Sequence, residues 1–300
     1  MDEGREFRSG FIAIIGRPNV GKSTLLNSLL GEKIAIISDK PQTTRNRIMG
    51  ILSRPNTQLI FMDTPGIHKP QHKMNEAMVK SALATYNEVD AILFLVEAGG
   101  QPGTGDKFII DTLAGVKPPV FLLINKIDKV KKDSLLPIID TYSSLYPFAE
   151  VIPISALLGD LDGLVDTIIA GLPVGPKYFP EDQLTDQPER FIVSELIREK
   201  VFLLTREEVP YSTAVVIEDM KEEKGIVRIE AVIYVERDSQ KGIIIGKAGS
   251  LLRKIGTLAR EDAERLLGTK IFLKLWVKVK KSWREDEGML KSLGILTEAD

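Results

Sequence analysis

The sequence predicts two domains. A doubly wound α/β domain is expected over residues 1–172, and a smaller α+β domain over 189–282. A linker, 173–188, joins them, and a tail, 283–300, follows. Three observations carry the prediction. Strand-like and helix-like segments alternate through the first part, with a glycine-rich loop at the first strand-to-helix junction. Pro173, Gly175, Pro176, Pro180 and Pro188 then break the periodicity, as a linker does. Beyond them the order is helix, strand, strand, short helix, GxxG, helix, strand.

Taken in order, Phe11–Ile15 is an apolar run that reads as a buried strand, and Thr24–Leu30 reads as a helix. Between them lies Gly16-Arg17-Pro18-Asn19-Val20-Gly21-Lys22-Ser23, the GxxxxGK[ST] pattern in the strand–loop–helix context that it requires. Its glycines let successive N–H groups point at phosphate oxygens, and the helix N-terminus adds its positive dipole end. Lys22 reaches β- and γ-phosphates in such a loop, the Ser23 hydroxyl ligates Mg²⁺, and Thr24 is counted with the loop's contacts. In the polar stretch Pro41-Gln42-Thr43-Thr44-Arg45 a threonine hydroxyl can close onto the metal; the reading favours Thr44, with Thr43 the alternative. Arg47–Leu52 and Gln58–Met62 flank a turn at Arg54-Pro55-Asn56, so one strand is expected antiparallel in an otherwise parallel sheet. Asp63-Thr64-Pro65-Gly66 follows: Asp63 would hold Mg²⁺ through water, and the Gly66 N–H would contact the γ-phosphate.

Helices are expected near 73–85, 104–113, 135–146 and 161–169, alternating with strands near 91–96, 119–124 and 151–154. Asn125-Lys126-Ile127-Asp128 follows one strand and Ser155-Ala156 another. A carboxylate at Asp128 can accept from both N1–H and the 2-amino group of guanine, whereas adenine would leave it desolvated and unpaired. Lys126 can lie along the base, Asn125 can tie this loop to the phosphate loop, and the Ser155-Ala156 backbone can offer an N–H to guanine O6. The five motifs, in this order and each at a strand end, describe a guanine-nucleotide switch. The chemistry expected is attack of water on the γ-phosphoryl group of GTP, leaving GDP, with Lys22, Thr44 and Gly66 stabilising the charge.

With Thr43-Thr44-Arg45 in the second motif and Asp63-Thr64-Pro65-Gly66 in the third, the sequence resembles the translation-factor-like GTPases, above all the Era family, over nearly its whole length. Ile67 stands where Ras-like proteins place a water-orienting glutamine, so unaided hydrolysis is expected to be slow. Asn19 lies where related GTPases are potassium-activated, which adds K⁺ as a candidate cofactor beside the phosphates.

In the second domain, residues 193, 196, 197, 201 and 204 form the apolar face of a helix. Thr213–Glu218 and Ile226–Glu236 are β-rich, with Met220–Gly225 expected as a charged turn. Gly246-Lys247-Ala248-Gly249 then precedes a helix carrying Leu251, Leu252, Ile255, Leu258 and Ala259 on one side, with Arg253 and Lys254 nearby. The element order resembles the type II KH fold, in which such a loop clamps a nucleic-acid backbone without Cβ clashes. Twelve Lys/Arg against three Asp/Glu between Lys241 and Arg284, in a chain of net charge −2, fit a polyanion binder. In the last strand, Ile271, Leu273, Leu275, Val277 and Val279 are expected to face the core. Phe272 and Trp276 alternate with Lys270, Lys274, Lys278 and Lys280. These rings either pack beneath a neighbouring element, the favoured reading, or form a base-stacking platform.

The resemblance implies binding of small-subunit ribosomal RNA near its 3′ end and a role in maturing the small ribosomal subunit, by a monomeric protein. The alternative is a regulatory GTPase at a membrane surface whose basic region reads anionic lipid or a protein partner; a metabolic phosphotransferase is disfavoured by Asn125–Asp128. The absence of cysteine excludes disulfides and thiol catalysis. His68 and His72 lie in a polar loop with no carboxylate at ligand spacing. No apolar run approaches the ~20 residues that span a bilayer, and the acidic N-terminus lacks a signal-peptide core. A cytoplasmic protein with possible peripheral membrane contact is the expectation.

Overall fold

The computed structural model describes residues 6–38, 45, 47–63, 86 and 88–295. Thr43, Thr44, Thr64, Pro65, Gly66, Ile67, both histidines and the helix expected near 73–85 lie outside the described residues. The chain divides into two compact units, with the main division at Asp186/Gln187.

In the first unit a six-stranded sheet forms from near-continuous apolar runs, as expected of strands covered on both faces. β1 (Arg8–Gly16) pairs in parallel with β3 (Thr57–Asp63) on one side and β4 (Ala91–Glu97) on the other. β5 (Val120–Asn125) and β6 (Glu150–Pro153) continue in parallel beyond β4. β2 (Ile48–Arg54) closes the opposite edge antiparallel to β3, through a two-residue turn at Pro55-Asn56. The order is therefore β2-β3-β1-β4-β5-β6. Helices α1 (Lys22–Leu30), α2 (Thr104–Thr112), α3 (Leu135–Ser143) and α4 (Asp162–Gly171) each bury an apolar stripe. Examples are Leu25, Leu26 and Leu29 on α1, and Ile109 and Ile110 on α2. Because β1 feeds strands on both its sides, the glycine-rich loop after it sits at the switch point where open α/β sheets bind ligands.

Residues 173–186, read from sequence as the first part of a linker, run along this sheet. Gln58 of β3 is fully buried and holds them: its amide nitrogen donates to the Phe179 carbonyl at 2.9 Å, and its carbonyl oxygen accepts from Tyr178 and Phe179 N–H at 2.9 Å each. Further along, Ile51 N–H donates to the Leu184 carbonyl and Met49 N–H to the Asp186 carboxylate.

The second unit holds α5 (Glu189–Leu204), β7 (Ala214–Glu223), β8 (Ile226–Val235), α6 (Asp238–Ile245), α7 (Ser250–Leu267), β9 (Lys270–Val279) and α8 (Glu287–Ser292). Its sheet is β7-β8-β9, antiparallel then parallel. Val193, Leu196, Ile197 and Val201 of α5 meet Ile229, Ala231, Ile233 and Val235 of β8, and Ile255, Ala259 and Ala263 of α7, in one core. The expected charged turn is shorter than Met220–Gly225: Met220–Glu223 are strand, and only Lys224 (φ 53°) and Gly225 (φ 76°) turn. Two left-handed residues make the tight hairpin turn that matches strand twist, so pairing continues through the charged positions on an exposed surface. The tail is docked rather than loose. Trp283 is fully buried with its indole N–H on the Ser212 carbonyl at 2.8 Å, and Met289, Leu290 and Ile295 are buried.

Candidate nucleotide-binding site and nucleic-acid interface

Four strand ends converge on the glycine-rich loop. β1 ends at Gly16, β3 at Asp63 and β5 at Asn125, while Ser155 lies just beyond β6. The loop from Gly16 through Ser23 passes Pro18, turns tightly at Asn19 (φ 66°), and then hands over to α1 through Val20 and Gly21. Gly21 cannot be replaced: its φ is 104°, and a Cβ would lie 2.3 Å from the Asn125 amide nitrogen. That close approach exists because Asn125 is the tie between two loops. Its side chain donates to the Val20 carbonyl at 2.8 Å and accepts from the Ala156 N–H at 2.9 Å. Lys126, itself left-handed (φ 64°), donates to the Asn19 carbonyl at 2.8 Å and pairs with Glu97 at 3.2 Å. Of the Ser155-Ala156 backbone N–H groups read from sequence as offering a donor to guanine O6, that of Ala156 is engaged with Asn125 in this structure.

Asp128 stands on the short helical turn Ile127–Lys129, where the Ser155 hydroxyl donates to its carboxylate at 2.6 Å. Ser155 is oriented in turn by accepting from the Leu158 N–H at 3.2 Å. One carboxylate oxygen is thereby fixed, which aims the group.

At the other end of the loop, Lys22 is buried, and its ammonium donates to the carbonyls of Gly16 at 3.1 Å and Arg17 at 3.0 Å. Burial pushes its pKa down to about 8, with the Asp63 carboxylate partly opposing the shift. Phosphate charge beside it would hold the proton on. Ser23 and Thr24 begin α1 at half-buried positions. The Ser23 hydroxyl donates to the fully buried Asp63 carboxylate at 2.7 Å. Two hard oxygen donors side by side, next to a phosphate loop, form a donor set that suits Mg²⁺. The Arg17 side chain does not face the loop's interior; its Nε donates to Asp106 of α2 at 2.7 Å. Asp106 and Glu97 were not singled out from sequence, although an acid three residues after Gly103 is a helix-start signal that could have marked Asp106.

In the second unit, Gly246 (φ 70°) ends α6, and Ala248 (φ 50°) and Gly249 (φ 75°) lead into α7. A Cβ on Gly246 would lie 2.8 Å from that of Leu251. Lys247, Ala248, Arg253 and Lys254 are all exposed. α7 starts without a side-chain cap, so no side chain takes up its first N–H groups. On β9 the odd residues pack inward as expected. The even face follows neither reading fully. Phe272 is 52% exposed rather than covered, with the Arg228 guanidinium 5.2 Å from its ring centre, and Lys274 caps Trp276 at 4.3 Å. Lys274 and Lys278 pair with Glu230 and Glu218, so charge on this face is largely balanced within the sheet.

The family model described as 50S ribosome-binding GTPase matches residues 11–126, and the KH domain model matches 208–284. The chain is 59% identical to the GTPase Era of Lacticaseibacillus paracasei, over 97% of its length and 98% of that protein. It is 60% identical to the GTPase Era of Geobacter metallireducens, over 96% and 98%. Among solved structures, Era in complex with MgGDPNP and nucleotides 1506–1542 of 16S ribosomal RNA matches with a TM-score of 0.94 at 43% identity, covering 97% of this chain and 100% of that one. A variant of Aquifex aeolicus Era bound to GDP·AlF4⁻ matches with a TM-score of 0.93, also at 43% identity and over the same shares.

Proposed function

The chain belongs to the Era family of GTPases, and from that premise we propose how its residues divide the work of hydrolysing GTP and holding RNA. It is a GTPase with a KH domain, converting GTP and water to GDP and phosphate. The observation that carries the assignment of residues is the pair of ties from Asn125 to Val20 and from Lys126 to Asn19. Through them the loop bearing Asp128 and the loop bearing Lys22 form one cradle, base at one end and phosphates at the other. Asp128, steadied by Ser155, selects guanine. Main-chain N–H groups between Gly16 and Thr24, Pro18 excepted, surround the phosphates, and Lys22 stabilises negative charge as the γ-phosphoryl transfers to water.

Mg²⁺ would be held by Ser23, by Asp63 through water and by Thr44 when GTP is present; bound there, it neutralises charge on the β- and γ-phosphate oxygens. Gly66 is assigned to the γ-phosphate, with Thr64 and Pro65 beside it among the nucleotide contacts. Asn19, at the exposed turn of the loop, is assigned to a monovalent cation. Hydrolysis at matched ionic strength should then be several-fold faster in K⁺ than in Na⁺, and equal rates would remove this assignment.

The RNA surface consists of Gly246, Lys247, Ala248 and Gly249 with Arg253 and Lys254, and its ligand is small-subunit ribosomal RNA near the 3′ end, during maturation of that subunit in the cytoplasm. Support comes from the exposed loop geometry and from the related Era solved with nucleotides 1506–1542 of 16S ribosomal RNA. The test is titration of the chain with an RNA of that sequence and with a scrambled RNA at equal ionic strength. Equal affinity for the two would reject the RNA assignment, and preferential binding to anionic vesicles would favour the membrane reading.

A further inference from the structure

Asp106 is fully buried on α2, the helix whose Ile109 and Ile110 enter the apolar core of the first unit. A charge in that position persists only where it is paired and hydrogen-bonded. Two donors meet it: the Gly103 N–H at 2.9 Å, which caps the start of α2, and Arg17 Nε at 2.7 Å. Burial first, and then the nearby Asp106 charge, push the Tyr142 phenol well above its ordinary range, so it stays protonated.

The seat for Arg17 is built into the backbone of α2. A Cβ on Gly105 would lie 2.6 Å from Arg17 Cδ, and one on Gly103 would lie 3.5 Å from its Nη1. Arg17 therefore lies across Gly103-Thr104-Gly105 to reach Asp106. The same residue's carbonyl accepts from the Lys22 ammonium at 3.0 Å. Side chain and main chain of one residue thus connect the core of α2 to the lysine that faces the phosphates.

We infer that Arg17 and Asp106 form a positioning pair for the phosphate loop, in which the buried carboxylate fixes Arg17 so that its carbonyl, with that of Gly16, keeps Lys22 directed at the β- and γ-phosphates. This inference rests on the nucleotide reading above and extends it to a residue pair that touches neither base nor metal. It separates from a merely structural role by which part of the nucleotide it affects. Loosening the phosphate loop should harm ligands that carry a β-phosphate and spare one that lacks it.

The experiment measures dissociation constants of GDP and GMP, with thermal midpoints, for the full chain and for Arg17→Met, Asp106→Asn and the double variant. The double variant leaves no unpaired buried charge and serves if Arg17→Met folds poorly. Each single variant should bind GDP about tenfold or more weakly, with GMP changed less than about twofold. The double variant should be no weaker than the weaker single, because the two side chains act through one contact. GDP affinity unchanged in all three variants would overturn the inference. So would GMP losses equal to GDP losses, or single losses that multiply in the double. Absence of GDP binding by the unmodified chain would overturn it together with the nucleotide reading.

Discussion

The Ser155 hydroxyl donates to one Asp128 carboxylate oxygen at 2.6 Å, which orients the group and leaves lone pairs on both oxygens for N1–H and the 2-amino group of guanine. Asp128→Asn replaces an acceptor by a donor, so the variant should lose affinity for GTP by about 10²-fold or more and admit xanthine nucleotide, whose 2-oxo group accepts. Nucleotide competition checks this, and a variant that still prefers GTP over XTP would contradict the role given to Asp128. Residues such as Asp128, Asn125 and Lys22 are legible from sequence because their chemistry depends on spacing within a short motif. The partner of Arg17 is not, since Asp106 is 89 positions away and only the packing of α2 on the loop brings the two together. Ala156 shows a related limit: which acceptor a backbone N–H meets depends on the rotamer of Asn125, and spacing does not encode that.

The Gly246–Gly249 element makes a sharper test of the RNA assignment than any single residue. Ala248 is held at φ 50°, where aspartate is tolerated better than alanine, and both Lys247 and Ala248 are exposed. Lys247→Asp with Ala248→Asp should therefore change stability by no more than about 0.5 kcal/mol. The two carboxylates would meet the phosphate backbone with repulsion, so RNA affinity should fall by about 10²-fold while GTP affinity stays unchanged. Anisotropy with labelled RNA, beside GTP binding on the same preparation, reads both, and unchanged RNA affinity in the folded variant would reduce this element to a turn. Periodicity predicted α5, α7 and β9 because each has one apolar face and one polar face. It misplaced the β7–β8 turn, where charged residues on an exposed strand look like a loop. It also left the rings of β9 undecided, because Arg228 and Lys274 approach them from side chains whose direction the pattern does not give.

Across the whole molecule, the division into two units follows the change of pattern after the proline-rich stretch. The way that stretch is fastened depends on Gln58, a polar residue in a strand buried along its whole length, and that contrast is the trace it leaves in the sequence. The tail was equally opaque: a few apolar residues in an acidic segment do not reveal where they dock. Trp283 is nonetheless fully buried, so Trp283→Ala should destabilise the second unit by about 3–5 kcal/mol in denaturant unfolding, against a negligible change if the tail were an appendage.

The guanine-nucleotide site and the RNA-binding loop proposed above lie on one chain, so RNA binding is expected to change the rate of GTP hydrolysis. Ile67 offers no side chain to orient water, so basal turnover should be slow and a bound partner has room to accelerate it. The direct measurement is GTP turnover by the full chain with and without an RNA of the sequence of nucleotides 1506–1542 of 16S ribosomal RNA. The same assay is run on the Lys247→Asp, Ala248→Asp variant. Several-fold stimulation is expected in the unmodified chain and none in the variant, at equal basal rates. Turnover indifferent to RNA, or stimulation that survives in the variant, would contradict that expectation.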